Sequence, residues 1–334
     1  MRHTWLLVTA VAVACTSVSN ETQTTTVPVG TSSIPPTIGF TPLVGRPIDV
    51  AMLPGRIVFS DETQDIWVVQ ADGSDVQRVT RAPAQEFDPT WSPDGSQIAY
   101  RHQTGDDGTT EIYVMDADGS AKRNLTHNDV ADWGPDWSPD GRWIAWNSAM
   151  GTDGFGFFGY VMRPDGSTVR RITHHDVEYP AWSPNGSQIA FMAQEAGAAG
   201  ANPDYNIFVM DADGSHVRRL TSAPGEDGWP AWSPDGTRIV FASARDDCSV
   251  SEAIDCLSTG DIGPWIDVWI MRRNGSHPRR VTTEFGQFFG WSPDGREIMV
   301  AGASSLYVIR PDGSGTSEVR VKGVPHPLFP DWIA

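Results

Sequence analysis

The sequence has little cysteine, few bases and almost no long apolar run, and each shortage excludes something. Only three of the 334 residues are cysteine: Cys15, Cys248 and Cys256. The last two lie eight positions apart in one polar segment, where an exported protein can close a small disulfide ring; the alternative is two free thiols. No histidine or further cysteine stands near them in sequence to complete a zinc site. Basic residues number 24 against 42 acidic ones, a net charge of −18 with a pI near 4.7. A chain so acidic repels phosphate backbones, and nucleic acid is excluded as a partner. The one apolar run, Trp5 to Ala14, is too short to span a bilayer, so a multi-span membrane protein is excluded as well. Several catalytic signatures are missing: there is no Gly-x-Ser-x-Gly elbow, no His-Glu-x-x-His and no phosphate-binding loop. The stretch Gly154 to Gly159 matches a dinucleotide fingerprint only as a string, with no helix behind it to supply an anion site. Glycine (33) and proline (25) are plentiful, which indicates many turns, and a 39% hydrophobic content is enough for a core. The length fits two average domains or one large all-β unit.

The N-terminus reads as an export signal over residues 1–14. Arg2 and His3 precede the apolar run, and the small residues Ala12 and Ala14 lead into Cys15. This is a lipobox-like context with Ala12 in place of the usual leucine, and Cys15 is the expected lipidation site; the alternative is an ordinary signal peptide. Residues 15–50 are rich in Ser, Thr and Pro without periodicity and read as a flexible tether from that anchor.

From there the sequence repeats itself. Trp91-Ser-Pro-Asp-Gly95 recurs at Trp137, Trp182 (with Asn185), Trp232 and Trp291. Between these copies runs a second signature, Asp116-Ala-Asp-Gly-Ser120, with counterparts starting at Gln70, Arg163, Asp211, Arg272 and Arg310. Each unit resolves into four strands. Ser-Pro-Asp-Gly turns the first strand into the second, because Pro presets φ and Gly accepts a left-handed conformation. Asp-Gly-Ser turns the third into the fourth. Four strands every 45 to 50 residues make a propeller blade. Arg56-Ile-Val-Phe59 is a second strand lacking a first, and Phe329-Pro-Asp-Trp332 is a first strand lacking a second. Joined, they complete a sixth blade and close the ring. The expectation is an all-β six-bladed propeller over residues 51–334.

This ordered pair of signatures resembles the TolB-like β-propeller repeat, and the resemblance covers about five-sixths of the chain. It implies a cell-envelope protein that partners an envelope lipoprotein. TolB proteins carry an α/β domain before the propeller, where this chain has only the tether, so it is expected to be a propeller-only relative. Related propellers also precede hydrolase domains, for which no room is expected after Ala334.

Turns after first and third strands lie on one face, and the variable loops open on the other, where insertions usually mark function. Counting back five positions from each Trp gives Glu86, Asp132 and Asp227, and four gives Glu178. Aromatics stand beside them: Phe87, Trp133, Tyr179, Trp229, Phe288, Phe289 and Phe329. First strands line a propeller's channel, so these residues are expected to rim a funnel that attracts a cation or a basic segment, with Glu86, Asp132, Trp133, Glu178, Tyr179, Asp227, Trp229 and Phe288 as the partner-binding set. The contrary reading is solvated loop acids. The repeated Trp residues are read as packing between blades. Arginine pairs such as Arg170-Arg171, Arg218-Arg219 and Arg279-Arg280 fall on outermost strands, where charge discourages edge pairing; a polyanion site is the lesser reading. His174 and His175 are weak metal candidates, and no cofactor is expected beyond the possibility of a divalent cation.

Two functions follow. The first is a non-catalytic envelope scaffold, monomeric, held to the membrane only through its lipid at the outer surface of the cytoplasmic membrane or in the periplasm, and presenting its funnel to a protein or peptide. The second is an extracytoplasmic lyase or hydrolase acting on a saccharide or similar polar substrate, with His174, His175, Glu178 and Asp132 as candidates.

Overall fold

A computed structural model of the chain describes residues 47–81, 83–103, 109–151, 156–194, 205–245, 267–282, 289–302, 305–324 and 326–334. These residues form 24 strands in six antiparallel four-stranded sheets, with one short 3-10 turn at Val50–Met52. The first blade combines β1 (Arg56–Ser60), β2 (Ile66–Gln70) and β3 (Gln77–Arg78) with the last strand of the chain, β24 (Leu328–Ile333). The second holds β4 (Gln85–Trp91), β5 (Gln97–Gln103), β6 (Thr110–Asp116) and β7 (Arg123–Asn124). The third holds β8 (Asp132–Trp137), β9 (Ile144–Ser148), β10 (Phe158–Met162) and β11 (Arg170–Asp176). The fourth holds β12 (Glu178–Trp182), β13 (Gln188–Gln194), β14 (Tyr205–Asp211) and β15 (Arg218–Arg219). The fifth holds β16 (Asp227–Trp232), β17 (Arg238–Ser243), β18 (Asp267–Arg272) and β19 (Arg279–Thr282). The sixth holds β20 (Phe289–Trp291), β21 (Ile298–Ala301), β22 (Leu306–Ile309) and β23 (Thr316–Val319).

The ring closes as the terminal half-signatures predict. Ile57 faces Trp332 across the β1–β24 ladder, and the Trp332 indole donates to the Pro54 carbonyl at 2.8 Å. Closure pairs two strands that would otherwise end the sheet as open edges.

The signature residues have two different jobs. The Ser92 hydroxyl donates to Asp94 at 2.7 Å and accepts the Gln97 amide at 2.9 Å, while Asp94 takes the Ser96 amide. The same three-point lock recurs around Ser138, Ser183, Ser233 and Ser292. These donors hold the Asp94, Asp140 and Asp235 carboxyls below their usual value, with the serine hydroxyl as the largest cause. The tryptophans pack between blades: Trp91 meets Val58 and Ile66 of the first blade as well as Ile98 and Tyr100 of its own. Trp137, Trp232, Trp291 and Trp332 take equivalent places. Fully buried neighbours such as Ile57, Ile98 and Ile144 each contribute about 1.5–3 kcal/mol of hydrophobic stabilisation.

The Asp-Gly-Ser glycine has a second reason to be glycine beyond its positive φ. A Cβ on Gly119 would stand 2.3 Å from the carbonyl oxygen of Val79 in the preceding blade, and one on Gly214 would stand 1.7 Å from that of Ile172. Here neighbouring blades touch backbone to backbone.

Candidate functional site

The innermost strand of each blade is an edge strand facing the central channel. Five of the six carry a proline two residues before the Trp: Pro89, Pro135, Pro180, Pro230 and Pro330. Proline cannot donate to a ladder and is tolerated at such an edge or at a bulge. Both conditions hold here. The register slips between Phe87 and Thr90, Trp133 and Asp136, Glu178 and Ala181, and Gly228 and Ala231. The residue before each proline (Asp88, Gly134, Tyr179, Trp229 and Phe329) has φ between 48° and 57°. The bulges turn these positions toward the axis, where they enclose a cavity of about 170 Å³.

The cavity wall is aromatic on one side and acidic on the other. Tyr179, Trp229, Phe289 and Phe329 supply half-buried rings, with Tyr179 and Trp229 6.0 Å apart. Asp88, Asp136 and Asp331 supply the acids. Asp88 is buried 3.1 Å from the Arg101 guanidinium, which lies over the rings of Phe87 (4.3 Å) and Trp133 (5.5 Å). Burial pushes the Asp88 carboxyl up against the pull of Arg101. Asp136 accepts the Trp182 amide of the next blade at 2.6 Å. Asp331 accepts the Trp91 amide at 2.7 Å and the Thr90 hydroxyl at 3.1 Å. These carboxyls thus occupy N–H groups on the exposed edge of the neighbouring blade. Burial, helped by the nearby Asp331 charge, pushes Asp136 up to about 8. Burial also raises Asp331.

The acids singled out from the sequence lie elsewhere. The side chains of Glu86, Asp132 and Asp227 are fully buried within their own blades, and Glu178 is buried as well. Glu86 sits 3.6 Å from Lys122 and 3.7 Å from His102. Asp132 accepts from Asn128 at 2.7 Å and from the Trp146 indole at 3.2 Å. Asp227 takes a two-pronged contact from Arg245, 2.8 Å to each oxygen. Glu178 accepts the Tyr205 hydroxyl at 2.7 Å, and burial pushes its carboxyl up to about 7. They stand one or more residues before the bulge, on the side of the strand that faces the blade. Trp133 packs against Phe157 at 4.5 Å, beside the cavity. Tyr179 and Trp229 line it. Phe288, Cys15, Cys248 and Cys256 lie outside the described residues.

His174 and His175 are exposed on β11, the outermost strand of the third blade, and Asp132 is on β8, the innermost. Among the described residues no group of three or more His, Cys, Asp or Glu side chains is placed to hold a metal. Three of the outermost arginines are tied inward: Arg78 to Asp65, Arg219 to Asn206 and Arg280 to Asp267. Among the described residues no helix is long and apolar enough to cross a membrane.

Sequence reasoning missed Asp88, Asp136 and Asp331. The signal was the in-register proline, which marks where the strand bulges and which residues turn to the axis.

Against known proteins, a family model of the TolB beta propeller domain matches residues 57–200 and 177–249. No curated protein matches. Among solved structures, TolB from Acinetobacter baumannii superposes with a TM-score of 0.67 at 20% identity, over 83% of this chain and 66% of that one. A protein described as TolB from Agrobacterium tumefaciens gives 0.59 at 19% identity, over 84% of this chain and 99% of that one. Oligogalacturonate lyase from Vibrio parahaemolyticus gives 0.50 at 14% identity, over 80% of this chain and 74% of that one.

Proposed function

We propose, from the premise that this chain belongs to the TolB beta propeller family, that it is an exported, lipid-anchored binding module whose channel mouth receives a protein or peptide partner. One observation supports this above the others: half-buried Tyr179, Trp229, Phe289 and Phe329 converge on a cavity whose far wall is acidic, the rings of Tyr179, Trp229 and Phe329 at the left-handed residue before a proline in a closed ring. Rigid aromatic anchors at the centre of a patch carry most of the energy in protein recognition. Their backbone is fixed by the ladder and the proline, so little ordering remains to be done on binding. Buried acids across the cavity from the rings favour a partner segment that brings a cation or hydrogen-bond donors. The anchor is Cys15 after removal of residues 1–14, residues 15–50 are the tether, and the location is the envelope, outside the cytoplasmic membrane.

The test is affinity capture of the anchored protein from its own envelope, wild type against Tyr179→Ala/Trp229→Ala/Phe329→Ala. Each lost hot-spot ring costs about 1–2 kcal/mol or more, so the variant is expected to lose its captured partner while keeping its circular dichroism. An unchanged partner set contradicts the proposal.

A second reading has its own observation. Asp136 lines the channel cavity, and burial with the nearby Asp331 charge pushes its carboxyl up to about 8, which suits general acid–base chemistry around neutral pH. In that reading the protein is a lyase or hydrolase of a polar saccharide. Turnover on a glycan panel that is lost in Asp136→Asn supports it.

A further inference from the structure

The third blade departs from the blades on either side of it, the second and the fourth, on the face it turns to the fourth. At the start of the second strand the second and fourth blades have Gln97 and Gln188, set opposite Asp116 and Asp211. Gln97 donates to Asp116 at 3.4 Å. The third blade has Trp143 and Arg163 in these places. The Arg163 guanidinium lies 4.2 Å from the Trp143 ring, and that of Arg170, from the outermost strand, lies 4.4 Å from it. Among the described residues no carboxylate is paired with either arginine. In a chain of net charge −18, this blade has an aromatic ring and two arginines where the second and fourth have an amide and a carboxylate, and Arg163 donates to the Arg142 carbonyl at 3.4 Å.

Trp143 and Arg170 border a cleft of about 460 Å³ between the third and fourth blades, within the size range of small-ligand sites, about 300–1,000 Å³. Trp143 and Arg170 form one side; Trp182, Asn185 and Asp213 of the fourth blade form the other, with Asp140 at the turn. An arginine stacked on a ring keeps its in-plane N–H groups free to fork onto an oxyanion. The Asp140 and Asp213 carboxylates accept from hydroxyls. They also repel a polyacidic peptide, which has carboxylates and no hydroxyls. Indole faces suit the apolar face of a sugar ring.

We propose that this inter-blade cleft binds an acidic saccharide, its carboxylate on Arg170 beside the Trp143 ring and its hydroxyls on the fourth-blade wall. The site is separate from the channel and goes beyond the function proposed above.

The test is titration calorimetry on the full chain with three probes: an oligomer of hexuronic acid, its methyl ester and poly-glutamate. The variant Trp143→Gln/Arg163→Asp installs the pair that the second and fourth blades carry, so it keeps the fold; Arg170→Gln serves as a second variant. The expected result is binding of the hexuronate, at least about tenfold weaker binding of the ester, and about a tenfold loss or more in either variant, with the melting temperature within about 2 °C of wild type. The proposal is overturned by no heat with the hexuronate, by ester and acid binding alike, by unchanged affinity in both variants, or by tighter binding of poly-glutamate, which would make the cleft an acidic-peptide site.

Discussion

Asp136 sits on the channel wall with its carboxyl held near about 8 by burial and by the neighbouring Asp331 charge, well above the value of about 3.9 in an unfolded chain. The folded protein therefore binds more protons than the unfolded one across that window, and stability falls as pH rises through it. Asp331 and Asp88 shift in the same direction. Asp136→Asn keeps an acceptor for the Trp182 amide and removes the titration. Its melting temperature is expected to vary less than that of wild type between pH 5 and 8, and to exceed it at pH 8 by roughly 3–6 °C, taking about 1–2 kcal/mol at a few degrees each. Thermal melts in both backgrounds check this; equal slopes would contradict the assignment. Gly214 gives a second test at this scale. Alanine there meets the Ile172 carbonyl at 1.7 Å and holds φ at +88°, which together cost about 2–4 kcal/mol. Denaturant unfolding of Gly214→Ala measures it, and a loss under about 1 kcal/mol would show that the two blades slide apart without penalty.

Among the elements, the first strand of each blade carries both the site and its support. Asp227 and Arg245 form a buried pair, the arginine side chain 10% exposed and the aspartate not at all. Removing only the arginine leaves a buried charge, at about 3–5 kcal/mol. Arg245→Ala is thus expected to unfold at clearly lower denaturant, and Asp227→Asn/Arg245→Gln to recover part of the loss. A double variant as weak as the single one would contradict the pairing. Strands and turns were legible in the sequence because their chemistry is local: Ser92 and Asp94 lock a turn with groups no more than five residues away. The orientation of the acids was not. Glu86 and Asp88 are two residues apart on one strand, yet one points into its blade and the other into the channel. The bulge beside Pro89 decides which, and alternation counted back from Trp91 passes straight through it.

For the whole molecule, closure was legible because it needed only two incomplete signatures, Arg56 to Phe59 and Phe329 to Trp332, to seek each other. The channel's chemistry was less so, since residues from six different strands, far apart in sequence, meet there only after the ring forms. The ring gives the proposed function its rigidity: rings at 179, 229 and 329 come from three blades that cannot move independently of their neighbours. The most direct measurement places a photo-crosslinking residue at Phe329 in the channel and, separately, at exposed Val217 on the outer rim, in protein expressed in its own envelope. The account predicts one discrete adduct from position 329 that disappears when Trp229→Ala is added to the same chain, and none of that mass from position 217. Adducts from the rim alone, or a channel adduct indifferent to Trp229, would contradict it.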